Sequence, residues 1–388
     1  MNICLLSWEL PPRIVGGIAS HVMGLAKALA AQGHDVGVVT LDFPGAPDYE
    51  ELDGFRVYRS KTEVGHPNFL TWAFLFNHFL EKRLAAANWD LGFDLIHIHD
   101  WLVAPSGVGF KHFLDKPLVC TMHSTEHGRS SLHDPDSFMI DGMEWWSCFE
   151  AARVIVTSNS MRGEVCGHFQ VPWEKVDIIP NAIEAEKYQA GVDRWGIRRR
   201  FGVGDHEKLV LYVGRLVPQK GIEYMIRAAP RVSWRFPEAK FVIVGEGWMR
   251  GHLEWIAEQS GQRWRINFTG FISDEDLVAL TKSADVMVVP SVYEPFGIVA
   301  LEGMAAGVPV VASQVGGLAE VVEHDRTGVW VSPRSPESIA WGIERVLSDG
   351  GYRDWLVKNA HEAVKNRYSW EAVVRQTVDV YKRVLGEK

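Results

Sequence analysis

Short apolar runs alternate along this chain with longer stretches in which apolar residues recur every three or four positions. Continuous apolar runs of about five residues read as buried strands, and the 3.6-residue period reads as helix. Residues 3–7, 35–40, 95–98, 118–121, 154–157 and 176–179 are the strands predicted in the first half. A helix over 19–31 follows the first of them, closed by Gly33 as a C-terminal cap. A second series starts near residue 209, with strands at 209–213, 241–244, 266–269, 286–289 and 308–312. Helices over 222–229, 249–260, 275–283 and 298–306 fit between them. Strand, helix, strand repeated in this way predicts parallel sheets covered by helices. The expected fold class is α/β, with two doubly wound Rossmann-like domains in tandem: 1–181, then 182–367, with a hinge at 178–183. An amphipathic helix over 368–385, in a final segment 368–388, is expected to cross back to the first domain. Two open parallel sheets facing each other would make a central cleft at the carboxyl ends of their strands, where ligands bind.

A length of 388 residues suits two domains of roughly 180 residues each. With 47% hydrophobic and 23% charged residues, the composition is that of a globular protein with substantial cores. The net charge of −9 argues against nucleic acid or an anionic membrane surface as partner. A phosphate site must therefore be local, built from a few cations and backbone N–H groups. Cys4, Cys120, Cys148 and Cys166 make no CxxC pair and read as reduced structural thiols of a cytoplasmic protein. The first residues read as a strand rather than a signal peptide, and no apolar run reaches 18 residues, so no membrane-spanning helix is expected. The aromatic stretch 72–83 reads either as a surface helix for peripheral membrane association or, preferably, as a buried helix, because it is short of Lys and Arg. The 16 Trp suit cores and also the faces of sugar rings. Oligomeric state has no signal in the sequence.

Four segments that follow predicted strands carry chemistry. In Ser291-Val-Tyr-Glu294-Pro-Phe-Gly297-Ile298-Val299-Ala-Leu-Glu302, a strand ends, a loop bearing Glu294 follows, and a helix starts near Ile298. Free N–H groups beside a glycine make a ready anion site. From there Glu302, one turn on, could reach a ribose hydroxyl pair; its plain alternative is a solvated helix residue. In Gly214-Arg215-Leu-Val-Pro-Gln-Lys220-Gly221, a guanidinium and an ammonium five residues apart suit a diphosphate leaving group, or else cap a turn. Charge that grows on such a leaving group is what these cations would stabilise. Gly16-Gly17 precedes the first helix and lets backbone approach a phosphate, although no GxGxxG is present and a flexible loop explains it too. Lastly, His97, His99 and Asp100, with His123 and His127, stand at strand ends. They could bind metal, but their spacing is not that of a zinc site, so hydrogen bonds to sugar hydroxyls are expected. Asp274-Glu275-Asp276 has a DxD form, yet it follows Ser273 and opens a helix, so a capped acidic first turn is the better reading. Gly245-Glu246-Gly247 allows close backbone approach to a ligand.

Taken together, these segments resemble the retaining glycosyltransferases of the large glycogen-synthase and sucrose-synthase-like family (family 4-type), which have the GT-B fold. The resemblance spans nearly the whole chain. Its most specific piece is the pair Glu294 and Glu302 with seven residues between, preceded by Gly214-Arg215 and Lys220-Gly221; Gly16-Gly17 and His123 match as well. The resemblance implies that Arg215 and Lys220 bind the diphosphate of a sugar-nucleotide donor, Glu302 holds its ribose, and Glu294 meets the donor sugar. It implies backbone contacts from Gly297, Ile298 and Val299, closure of Gly17 over the diphosphate, and contact of His123 with the sugar. The base would lie near Gly245 to Gly247 and Phe271-Ile272. It implies no cofactor and no metal, since Arg and Lys take the metal's place. His99-Asp100-Trp101 and the Gly-Gly-Ile loop resemble the glycogen and starch synthase branch, although Arg13 stands near where those synthases carry a Lys. The implied reaction is transfer of glucose from ADP- or UDP-glucose to an α-glucan or related carbohydrate. The alternatives are mannosyl or galactosyl transfer in lipid-linked or surface polysaccharide synthesis, and, more remotely, sugar-nucleotide epimerisation.

Overall fold

The computed structural model describes residues 1–62, 65–130 and 132–386. The chain divides into two units: Met1–Ala182 together with the C-terminal stretch from Trp370, and Ile183–Ser369.

The first unit is built on an eight-stranded sheet. Its strands are β1 (Asn2–Leu6), β2 (Asp35–Leu41), β3 (Tyr49–Leu52), β4 (Phe55–Ser60), β5 (Leu95–His99), β6 (Leu118–Met122), β7 (Arg153–Val156) and β8 (Val176–Ile178). Their order is β3-β4-β2-β1-β5-β6-β7-β8, parallel throughout except for the β3–β4 hairpin. Strand residues alternate between the two faces. Cys4 and Leu6 of β1 enter one core with Ile96 and Ile98 of β5, while Ile3 and Leu5 enter the other with Val36 and Val38 of β2. Covering both faces with helices is what lets the central strands be apolar at most residues.

Helices cover this sheet. The helix Trp370–Leu385 lies on the helix Gly17–Ala31. A Cβ on Gly24 would stand 2.1 Å from the Trp370 ring, so only glycine permits this approach. The stretch expected at 72–83 belongs to a longer helix, Phe69–Leu91, capped by Asn68. Phe76, Leu80 and Leu84 are buried along one side of it, and Phe69 and Phe74 are exposed. Among the described residues, no helix is long and apolar enough to cross a membrane.

The second unit carries β9 (Lys208–Val213), β10 (Ala239–Val244), β11 (Ile266–Gly270), β12 (Val286–Val289), β13 (Val310–Ser313) and β14 (Val329–Val331). All pair in parallel, in the order β11-β10-β9-β12-β13-β14. This is the doubly wound arrangement in which strand order reverses once, here between β9 and β12. Asp285, just before β12, ties the reversal together. Its carboxylate accepts from the Leu209 N–H at 2.7 Å and from Arg198 at 3.0 Å, and both side chains are buried. The four cysteines are buried and unbridged. Ser273 caps the helix Asp274–Lys282 by accepting from the Asp276 N–H, which accounts for the acidic triplet.

Candidate active site

In the second unit the chemistry gathers where the strand order reverses. The loop after β9 carries Arg215, Lys220 and Gly221; the loop after β12 carries Ser291, Glu294 and Gly297. Backbone hydrogen bonds lace the two loops together, from Val292 N–H and Tyr293 N–H to the Gln219 carbonyl. Gly221 has φ +62°, and a Cβ there would fall 2.1 Å from the Pro290 carbonyl oxygen. Only glycine lets the loops touch at this point. The contact brings the Lys220 ammonium within 2.6 Å of Glu294, whose carboxylate also accepts from Ser291 Oγ at 3.0 Å. Glu294 is 9% exposed, so its charge is held by these two partners. Arg215 is exposed, its carbonyl fixed by the Tyr212 hydroxyl at 3.0 Å; among the described residues it has no carboxylate ion-pair partner. A fixed, partly buried pair next to an outward guanidinium is an arrangement that can receive a diphosphate.

Gly297, at φ +101°, turns the chain into the helix Ile298–Ala305, whose first N–H groups, those of Ile298 and Val299, face the loop end of the sheet. Glu302 is one turn further along. Burial pushes its carboxyl up to about 7, reinforced by Asp274 and opposed by Lys187. A neighbouring loop stands beside the first two. Gly245 donates to the Gly270 carbonyl at 3.0 Å, and a Cβ on it would meet the Gly214 carbonyl at 2.1 Å. Phe271 is 74% exposed, whereas Ile272 packs against the core. The structure thus brings Arg215, Lys220, Gly245, Glu294, Gly297 and Glu302 to one end of one sheet.

The first unit repeats the pattern. The loop after β1 enters the helix Gly17–Ala31 through Gly16-Gly17. The sequence reading leaves these N–H groups open to a phosphate. Instead Val15 N–H and Gly16 N–H donate to the Glu9 carboxylate at 2.6 and 3.0 Å, so an internal anion already satisfies Gly16. Burial raises the Glu9 carboxyl, and those two N–H groups oppose the rise. Glu9 is a residue that the sequence reading missed; an acid seven positions before a glycine has no recognisable period.

At the next loops, Asp100 is buried and sits at φ +61°, a conformation that non-glycine residues rarely adopt. There its carboxylate accepts from the His123 N–H at 2.7 Å and pins the loop after β6. Burial pushes the Asp100 carboxyl up to about 6. Arg129 then clamps the same loop, bridging Glu126 and the buried Glu144 at 2.9 Å each. Burial pushes Glu144 up to about 8 despite Arg129. Among the histidines, His97 is spent on structure, between Tyr381 Oη at 2.6 Å and Thr121 Oγ1 at 2.7 Å. His127 stacks on His168, centroids 4.2 Å apart. His99 and His123 meet at 3.2 Å, joined by His21, which no motif singled out. A lone histidine on the apolar face of a helix reads as core, and only the fold shows what it faces.

Two parallel sheets, each with its polar loops gathered where the strand order reverses, define an enzyme of the GT-B architecture. Residues 193–363 match the model of Glycosyl transferases group 1, and residues 15–187 that of Glycosyltransferase Family 4. An uncharacterized glycosyltransferase of Methanocaldococcus jannaschii is 47% identical over 386 residues, covering 98% of both chains. The glycogen synthase of Mycobacterium tuberculosis is 34% identical over 402 residues, covering 98% of this chain and 94% of that one. The structure is similar to that of sucrose-phosphate synthase from Thermosynechococcus elongatus, with a TM-score of 0.84, 27% identity and 100% of each chain covered. The chain belongs to this family: it is a GT-B glycosyltransferase of the group 1, family 4 type.

Proposed function

We propose that this enzyme transfers glucose, with retention of configuration, from ADP- or UDP-glucose to an α-glucan or related carbohydrate acceptor. The observation that carries the reading is the Lys220–Glu294 pair beside the outward Arg215. The glycogen synthase relative supports glucan as acceptor class. In this reading Arg215 and Lys220 hold the diphosphate and Glu302 holds the ribose. Glu294 meets the donor sugar, and the N–H groups of Gly297, Ile298 and Val299 complete the phosphate and sugar contacts. Gly245, Phe271 and Ile272 border the base. The resemblance assigns Gly17 to a diphosphate and His123 to a sugar. The bond from the anomeric carbon to the diphosphate oxygen breaks, and the acceptor oxygen bonds to that carbon on the same face. The acceptor's proton passes to the departing diphosphate. Lys220 and Arg215 stabilise the charge that builds there, so transfer needs no divalent ion.

The test is nucleoside diphosphate release from ADP-glucose, UDP-glucose, UDP-galactose and GDP-mannose, with and without glycogen, in EDTA. Glycogen-stimulated release from one glucose donor is the expected result. Release from another donor, or release only with a lipid or small-sugar acceptor, would replace the glucan assignment with the second reading of the sequence.

The raised Glu302 carboxyl adds a pH signature. A carboxylate accepts from both ribose hydroxyls and does so more strongly than the acid, which has one good acceptor oxygen, so ionisation favours donor binding. With the free group titrating at about 7, affinity for a sugar nucleotide is expected to rise between pH 6 and 8. The gain is up to about tenfold if only the ionised form binds. A sugar nucleotide itself does not titrate there. Glu302→Gln is expected to flatten the profile, measured by calorimetry; a slope that survives in that variant removes Glu302 from the ribose site.

A further inference from the structure

Three imidazoles meet at the carboxyl end of the first sheet. His21 comes from the helix Gly17–Ala31, His99 from the end of β5, and His123 from the loop after β6. One ring nitrogen of each lies within 4.8 Å of the others. His99 Nδ1 and His123 Nε2 are 3.2 Å apart. Two nitrogens bound tetrahedrally to one ion at about 2.0–2.1 Å stand about 3.3 Å apart, so this pair already has ligand spacing. The His21 ring is 4.8 Å from that of His123 and 5.4 Å from that of His99, centroid to centroid.

The electronic state of the rings also suits an ion. His21 and His99 are buried and His123 half-buried, and desolvation lowers all three below the usual histidine range, His123 to about 3. Each ring therefore keeps a lone pair at neutral pH. The buried His21 Nδ1 has no hydrogen-bond partner. Buried orphans of this kind are rare in native proteins.

We propose that His21, His99 and His123 bind a divalent cation of the zinc class, and that this ion inhibits transfer. A set of three neutral imidazoles without a carboxylate selects zinc, cobalt or nickel over magnesium or calcium. The fourth position of a tetrahedral ion stays open. In the His99–His123 hydrogen bond one nitrogen carries the proton. Both nitrogens become ligands when His99 carries its proton on Nε2 and His123 carries its proton on Nδ1; the shared proton moves to the far nitrogen of its own ring, so binding releases none. Asp100 already holds the backbone of His123 at 2.7 Å, which fixes one ligand in advance. His97 takes no part, because both its nitrogens are engaged. The inhibitory half rests on the proposed function, in which His123 meets the sugar: an ion bound to His123 competes with the sugar for that side chain.

The experiment uses the full chain, stripped with EDTA and then freed of it. ZnCl2 is titrated by calorimetry and CoCl2 by visible absorption. One Zn2+ per chain with a dissociation constant in the micromolar range or below is expected, as is the intense visible band of four-coordinate Co2+. His21→Gln and His99→Gln, checked for folding by circular dichroism, are each expected to weaken binding by about 100-fold. Absence of saturable binding overturns the site. So does binding in both variants as tight as in the unsubstituted chain, which assigns the ion to surface histidines such as the His127–His168 stack with Asp141 nearby. Transfer is assayed separately. Zn2+ at about ten times its dissociation constant is expected to remove roughly nine-tenths of the activity, restored by EDTA. Intact binding with undiminished transfer overturns the inhibitory half and the sugar role of His123 together, and leaves the site standing.

Discussion

Lys220→Ala is expected to lower turnover by about 100- to 1,000-fold in a protein that still folds. That is the usual cost of removing one preorganised donor to developing negative charge. The ammonium is well placed for that work. Its loop is set by Gly221 against Pro290, and Glu294 holds it at 2.6 Å, so it does not have to be ordered during the reaction. On the proposed function the loss belongs in the rate constant, because charge on a diphosphate leaving group grows as the bond breaks. Single-turnover release of nucleoside diphosphate separates the two effects. A rise in KM with an unchanged rate constant would confine Lys220 to ground-state binding. A competing view makes Lys220 only a counter-ion for the buried Glu294 carboxylate. On that view Lys220→Ala/Glu294→Gln would recover activity over Lys220→Ala alone; no recovery is expected.

The largest effect on stability is expected from Asp285→Ala. Its carboxylate receives Arg198, Arg194 and the Leu209 N–H. Arg198, 1% exposed, also donates to the Ser283 carbonyl at 3.0 Å and to the Glu207 carbonyl. Removing the acid strands a buried guanidinium, which costs about 3–5 kcal/mol. In a unit of this size each kcal/mol lowers the midpoint by about 2–4 °C, so calorimetry should show a transition displaced by roughly 6–20 °C. A shift corresponding to less than about 1 kcal/mol would mean that Arg198 finds water or another partner. Because Leu209 lies in β9 and Asp285 precedes β12, this cluster ties together the paired strands whose loops form the candidate site. The same variant is therefore expected to weaken donor binding.

Much of the fold was legible because parallel strands covered on both faces are apolar at nearly every residue. β12 falls on the predicted residues, and the others differ by a residue or two at their ends. The strands that escaped notice have another physics. Tyr49–Leu52 and Phe55–Ser60 form an antiparallel edge hairpin studded with charge, and Arg59 is tolerated inside it only because Glu50 and two carbonyls reach it. β14 is three residues long, too short for a period.

The class of this protein follows from local patterns along the chain: the strand–helix rhythm, the glycines where loops must approach, and the cations and carboxylates at the ends of strands. These are local properties, set by propensity and by spacing within one loop. Which of those groups meet depends on how the chain folds. Lys220 and Glu294 are 74 positions apart, and His99 and His123 are 24. Their contacts arise from the order in which parallel strands assemble, which no local pattern encodes. The same holds for Glu9 beneath the Gly16 N–H and for His21 beside His123. Each reads as an ordinary residue along the chain and acquires its chemistry from the neighbours that folding supplies.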